Sequence, residues 1–346
     1  TSLSLAGTKT GRLASSYSAF CTATNQQNIV GALKYIFVAD DGKLMVNIDL
    51  EQADSRNVGA LCWNTFVDMP RAGITKYLRL AGRLRPNEEW TGPIGPEFAG
   101  SYLDACESGD LHTTVTKMAY TELPWGTMED RAIADLIAYR EESYRKLSKK
   151  LGHGSNYMGQ PPQMALHAKL PVRQVVDFQE AYFTAFPCIP AWQAYQIEQL
   201  QTTRQLTHLY GRRRTFFEDT KQQSVINAAI AYSPQGMTGS QVNIGILNVW
   251  RDPAFEVMLQ VHDSNLFQID WRQSAELVPR SLKLMEAPIT LKHGRKFFVP
   301  LEAETGYNYG YYHKDKNPYG MKTWKGEELR SPPRKLMPRK VGLLDM

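Results

Sequence analysis

Hydrophobic and polar positions alternate most clearly in VMLQVHDSNLFQI (257–269), where the β-rich runs VMLQVH and NLFQI are joined by Asp263–Ser264 as a two-residue hairpin turn. A second hairpin is predicted in YIFVADDGKLMVNIDL (35–50), with an Asp-Gly turn between two strands and Asp49 near the end of the second. VPLEAETGYNYG (299–310) reads as a last strand. Between these lie helical patterns. The segment 127–158 opens with Thr127 as an N-cap candidate and Asp130 three residues on, and further helices are predicted over 171–186, 190–210, 220–232 and 237–250. Residues 1–29 read as loop, 70–100 as a surface insertion with a short basic helix, and 311–346 as an extended basic arm. Strands and helices in this order give an α+β chain, not βαβ alternation.

The two hairpins raise a chemical question, because a carboxylate at Asp263 beside His262 on a half-buried turn needs compensation. A divalent cation is the strongest compensator, and Asp49 is a second carboxylate at a strand end. A second pattern carries the opposite charge. In RKLSKKLGHGSNY (145–157), Arg145, Lys149, His153 and Tyr157 recur every four residues and so share one drifting helix face. At 1.5 Å per residue the stripe is roughly 18 Å long, with cations at one end and rings at the other, which suits a nucleoside triphosphate. Gly152 and Gly154 inside this helix call for a reason, and close approach of a flat ligand would supply one.

Composition narrows the class. The chain has 346 residues, 42% hydrophobic and 22% charged, as expected of a globular protein with one large or two modest cores. A net charge of +5 is compatible with a polyanionic partner. Four scattered cysteines without a CxxC pair indicate neither a zinc site nor a disulfide framework, and a reducing interior is the default. No run of about 18 apolar residues and no signal-peptide order are present, so membrane spanning and export are not expected.

Three spaced motifs then carry a resemblance. DLEQADSR (49–56) resembles the first motif of family A DNA polymerases, DxSQxExR; RKLSKKLGHGSNY resembles their fingers helix, RxxxKxxxFGxxY; and VHDS (261–264) resembles the third, VHDE. TKTGRL (8–13), NQQNI (25–29), GDLHT (109–113), AYFTAFPCIPAW (181–192), YGRRR (210–214), SPQG (233–236) and VPLEAETG (299–306) agree in order, so the likeness runs from about residue 8 to residue 310.

The resemblance implies a right-hand polymerase palm, an antiparallel sheet, with helical fingers and without a thumb. The N-terminal palm segment would be 1–126, the fingers 127–232 with the motif helix at about 140–158, the C-terminal palm 233–310 and a basic tail 311–346. Asp49 and Asp263, with the backbone carbonyl of Leu50, would hold two Mg²⁺ ions, for which Mn²⁺ could substitute. Arg145 and Lys149 would grip the triphosphate, Lys149 acting in catalysis, and Tyr157 would sit by the templating base. His153, Gln52, Asp54 and His112 fall at nucleotide-binding positions. Arg12, Gln235, His262 and Arg56 fall at DNA-binding positions, the first two testing groove shape rather than sequence. The partners implied are primer–template DNA and dNTPs, and the place is the cytoplasm of a bacterial or phage-infected cell.

Departures from the family matter. Asp54 stands where a Glu crowds the sugar 2′ position, His153 where an aromatic ring packs on the nucleotide, and Ser264 where an acid follows the second aspartate. The family's thumb and exonuclease precede the point where this chain starts, so a second polypeptide is expected to supply them. Arg71, Lys76, Arg79, Arg83 and Arg85 in the insertion, and Lys335, Arg339 and Lys340 in the tail, are candidate phosphate contacts or solvated surface. The alternatives to a DNA polymerase are a non-catalytic polymerase-like DNA-binding subunit and an RNA-synthesising or priming enzyme of the same fold. The carboxylate of Asp54 opposes the latter.

Overall fold

The computed structural model describes residues 2–4, 8–11, 14–16 and 26–326. They form two compact units, a helical one of residues 52–237 and 289–297 and a sheet-based one comprising residues up to 51, 238–288 and 298 onward.

The helical unit carries α1 (Ala53–Phe66), α2 (Arg71–Leu80), α3 (Gly95–Glu107), α4 (Leu111–Ala119), α5 (Asp130–Ala134), α6 (Tyr144–Asn156), α7 (Pro161–Ala168), α8 (Val172–Ala185) and α9 (Cys188–Thr203). α1 and α3 touch backbone to backbone: a Cβ added at Gly59 would lie 2.8 Å from Leu103 Cα, so only glycine fits. Asp110 caps α4 by accepting from the amides of His112 and Thr113, and Ser143 caps α6 through the amide of Lys146.

The predicted helix over 127–158 is interrupted. α5 ends at Ala134, and strands Ile137–Tyr139 and Glu142–Ser143 pair around Arg140 and Glu141, both left-handed at φ 45° and 69°. Neither is a residue that announces such a turn, and both favour helices, which is why the pattern hid it. Thr127 is not the cap; its hydroxyl donates to the Pro124 carbonyl, and Glu129 precedes α5. The helix predicted to reach 210 stops at Arg204, left-handed at φ 55°, and Gln205–Thr207 and Arg213–Thr215 form a small hairpin. The stretch 70–100 is stitched inward. Arg71 donates to the carbonyls of Trp90 and Gly92, Arg79 to that of Glu88, and Lys76, Arg83 and Arg85 pair with Glu198, Glu180 and Glu88. The five insertion cations proposed for phosphate contact thus have internal partners.

α10 (Gln223–Trp250) is one helix where two were predicted, with Pro234 inside it. A proline there forfeits one backbone bond without ending the helix, and Asn57 Nδ2 donates to the Pro234 carbonyl. From Thr238 the chain belongs to the sheet-based unit, with α11 (Ser274–Met285). Its sheet holds β1 (Lys43–Leu50), β2 (Glu256–Val261), β3 (Ser264–Asp270), β4 (Leu301–Gly306) and β5 (Lys322–Thr323), in the order β5-β4-β1-β3-β2, every pair antiparallel. This is the expected mix of helices and antiparallel sheet. One face, with Leu44, Val46, Ile48, Phe267, Ile269 and Ala303, packs on Val249 of α10 and Leu277, Val278 and Met285 of α11. Each fully buried aliphatic contributes about 1.5–3 kcal/mol.

Three loop and strand expectations change. The first strand of the 35–50 hairpin is absent. Both edges of β1 are taken by β3 and β4, so Gly31–Ile36 coils in 3-10 turns and Val38 makes one bridge to Asn308. Within 1–29, Ser2–Ser4 pairs with Ala14–Ser16. Within the supposed arm, residues 311–326 are folded: Met321 is buried, Tyr311 bridges to it, and Asn308 and Asn317 exchange side-chain amide bonds of 2.8 and 2.9 Å. Lys335, Arg339 and Lys340 lie outside the described residues. Among the described residues no helix is long and apolar enough to cross a membrane.

Candidate functional site

The second face of the sheet builds an acidic cleft. Asp49, next to the end of β1, is paired with Ser264 of β3 on one side and Glu302 of β4 on the other, while Asn47 is paired with Glu304. Partners in register point to the same face. The β2–β3 turn is His262 and Asp263, one residue earlier than the Asp263–Ser264 turn expected from the sequence, because Ser264 is drawn into the strand by pairing with Val261, and His262 takes the left-handed φ of 51° that the turn demands. Asp49, Asp263, Glu304, Asn47, His262, Ser264, Lys34, Tyr309 and Tyr311 line one opening of about 390 Å³.

Electrostatics follow from this crowding. Desolvation by the walls pushes the Asp49 carboxyl up to about 6, with Asp263 adding to the shift and Glu304 and Glu302 contributing less. Glu304 is raised by its own burial and by Glu302, while Lys34 is lowered by burial against the opposing pull of Glu304. The Asn47 side chain is nine-tenths buried with Oδ1 unpartnered. Ser264, in place of an acid, donates its hydroxyl to the Val261 carbonyl at 3.0 Å. The Leu50 side chain is buried at the strand end. Such a set of hard oxygen donors concentrates negative charge where a dication would relieve it.

In the helical unit, α6 presents the predicted stripe. Lys149 and His153 are exposed, and the His153 and Tyr157 rings meet edge to face at 4.9 Å. Arg145 is committed to Asp110, donating from Nε at 2.7 Å and Nη2 at 2.9 Å, and Arg131 adds a third bond at 2.8 Å. These bonds hold the Asp110 carboxyl well below the usual range despite partial burial. His112 is a buried residue of α4 with Nε2 unpartnered among the described residues, and burial with nearby Lys149 and Arg145 pushes its imidazole down to about 4. Gly152 and Gly154 serve internal contacts rather than a flat ligand. Their missing Cβ atoms would meet the Tyr182 ring at 3.6 Å and the Met164 methyl at 2.9 Å.

At the start of this unit Gln52 is left-handed at φ 53° with Oε1 unpartnered, Asp54 lies in the first turn of α1, and Arg56 is buried with Nε unpartnered. Gln235 is half-buried in α10 directly after Pro234. Arg12 lies outside the described residues. The sheet therefore gathers Asp49, Leu50, His262 and Asp263, and the helical unit gathers Arg145, Lys149, His153, Tyr157 and His112. Sequence reasoning missed Glu302 and Glu304, which only sheet register brings beside Asp49 and Asn47, and Lys34, which the 3-10 turns Gly31–Ile36 carry to the cleft. It also missed Asp110, whose place two residues before His112 in GDLHT is an N-cap signal.

Comparison with known proteins agrees with this architecture. No protein-family model matches the chain. It is similar to the thermostable DNA polymerase I of Thermus thermophilus, 26% identical over 170 residues that make up 47% of this chain and 20% of that protein. Against the thermostable DNA polymerase I of Thermus aquaticus it is 23% identical over 321 residues, 86% of this chain and 32% of that protein. The DNA polymerase I of Helicobacter pylori is 25% identical over 141 residues, 38% of this chain and 16% of that protein. The chain thus spans a third or less of the length of these relatives. Among solved structures, the POL domain of Pol1 from M. smegmatis, in complex with DNA primer-template and dNTP, superposes with a TM-score of 0.63 at 18% identity, covering 89% of this chain and 47% of that one. In sequence and fold the chain is family A polymerase-like.

Proposed function

We propose that this family A polymerase-like chain is a template-directed DNA polymerase that joins dNMP to a primer 3′ end and releases pyrophosphate, working in the cytoplasm. The observation that carries the reading is the carboxylate pair, Asp49 at the end of β1 and Asp263 on the β2–β3 turn, lining one cleft. A fold shared with a polymerase domain that was solved with primer-template DNA and dNTP supports those two ligands.

The cleft fits Mg²⁺. Mg²⁺ is typically bound by one or two carboxylates plus substrate phosphates and water, and Asp49 and Asp263 offer the cleft two such carboxylates. Asp49, Asp263 and the Leu50 carbonyl would hold two ions, Mn²⁺ being an acceptable substitute. When bound, the ions would activate the primer hydroxyl and neutralise phosphate charge. The chain's own residues have other tasks. Lys149 and Arg145 would bind the triphosphate and stabilise charge on the departing pyrophosphate, with Asp110 fixing the Arg145 guanidinium. The His153–Tyr157 ring pair would give the nucleotide a stacking surface. His112, neutral at working pH, can share a hydrogen bond without adding charge. His262, Gln235 and Arg56 would contact DNA.

The test is extension of a labelled primer with Mg²⁺ and either dNTPs or rNTPs. Asp263→Asn is expected to cost at least about 10²-fold in rate; undiminished extension by that variant would overturn the reading. A second reading, a non-catalytic DNA-binding subunit, draws on Ser264, whose hydroxyl is spent inside the turn. It predicts primer–template binding with no extension by the wild-type chain.

A further inference from the structure

Lys34 is a cation to which the polymerase reading gives no task. It sits in the 3-10 turns Gly31–Ile36 and lines the same cleft as Asp49, Asp263 and Glu304. Its ammonium stands over the Tyr309 ring, 4.4 Å from the centroid, and 5.7 Å from that of Tyr311. Both rings come from the segment after β4, which folds back through the Asn308–Asn317 bonds and the pairing of Met321 with Tyr311. Glu304 acts on Lys34 through space, without a hydrogen bond.

A lysine stem has many rotamers, and two ring faces restrict them without consuming the charge. The result is a cation positioned at an acidic cleft and making no ion pair among the described residues. A desolvated ammonium gains most from an anion that arrives from outside, and a carboxylate-lined cleft repels a polyanion unless it offers one such foothold. The triphosphate already has Arg145 and Lys149 as its proposed partners. The primer strand has His262, on the hairpin turn that lines this same cleft.

Resting on the polymerase reading, we propose that Lys34, held by Tyr309 and Tyr311, binds a backbone phosphate of the primer strand close to its 3′ end. A phosphodiester is the chemistry it would take, and base identity would not matter.

The experiment uses the full chain as wild type, Lys34→Met, Lys34→Gln and Lys34→Arg, titrating a fluorescent primer–template against salt without divalent metal, with thermal melts as the check on folding. Neutralised phosphates are counted by the slope of log affinity on log salt, about 0.9 per contact. The expected result is a slope smaller by about one contact in Lys34→Met and Lys34→Gln, retained in Lys34→Arg, and no change for single-stranded template alone. An unchanged slope in a neutral variant that melts like wild type overturns the proposal. If that variant instead binds Mg²⁺ more tightly, Lys34 is only a counter-charge to the carboxylates. Loss of folding in both neutral variants also overturns it, by making Lys34 a structural residue. Failure of the wild-type chain to bind primer–template at any salt would remove the polymerase reading itself.

Discussion

Asp49 pairs with Ser264 across β1 and β3, and this register sets the next residue back along the chain, Asp263, at the two-residue turn lining the cleft with Asp49. The result is a site that is electrostatically uncomfortable when empty of cations, because the Asp49 carboxyl is held up at about 6 by desolvation and by Asp263.

That discomfort has a definite pH signature. The folded state keeps the Asp49 proton up to about 6, whereas the unfolded chain releases it near the ordinary 3.8. Stability from this group is therefore complete below about pH 4 and lost as pH rises through 6. Without metal, Asp49→Asn should melt higher than wild type at pH 8, by on the order of 1 °C because the carboxylate is still reached by solvent, and equally at pH 4. Mg²⁺ should narrow the gap at pH 8 by stabilising the wild type more. Identical melts at pH 8 without metal would refute the account.

The shorter carboxylate of Asp54, in the first turn of α1, should leave room beside the sugar of the incoming nucleotide. Asp54→Glu is expected to raise discrimination against ribonucleotides by about 10-fold, read as the ratio of kcat/KM for dNTP and rNTP. Equal ratios in the two forms would show that this position does not set sugar choice here.

What was legible in the sequence was mostly local. The β2–β3 hairpin could be read, to within one residue of its turn, because turn and alternation lie within a dozen residues, and Asp263 came with it. Glu302 and Glu304 could not be assigned to the site, because they reach Asp49 and Asn47 through pairing of β4 with β1, some 250 residues earlier in the chain. The same non-local pairing undid the 35–50 hairpin, since occupying both edges of β1 left its sequence neighbour no partner. In the helical unit the stripe of Arg145, Lys149, His153 and Tyr157 followed from spacing alone. The reason for Gly152 and Gly154 did not, since Tyr182 and Met164 are brought there by tertiary contact.

Gly59 offers a test of the α1–α3 contact. Replacing glycine by alanine in a helix normally gains about 1 kcal/mol. Here the new Cβ would fall 2.8 Å from Leu103 Cα and 3.1 Å from Leu103 N, backbone atoms that cannot swing aside. Gly59→Ala should therefore lose about 1–3 kcal/mol net in urea unfolding, and a stabilised variant would mean the two helices can separate at little cost.

The corner where α4 meets α6 should make the protein sensitive to acid, and His112 sets where. Its imidazole is pushed from 6.5 to about 4 by burial and by Lys149 and Arg145, so between those values the unfolded chain takes up a proton that the folded chain refuses. Stability from this residue is complete above about pH 6.5 and lost as pH falls toward 4. Asp110, depressed by its bonds to Arg145, loses its contribution only below the ordinary carboxylate range. Urea midpoints for wild type and His112→Gln at pH 7, 6 and 5 separate the two. The variant should escape about 1–3 kcal/mol of the loss seen in wild type between pH 7 and 5, while Asp110→Asn, which keeps a capping oxygen but loses the charge that grips Arg145 and Arg131, should be weaker at every pH in that range. If His112→Gln follows the wild-type curve, the buried imidazole is not what makes this corner fail in acid.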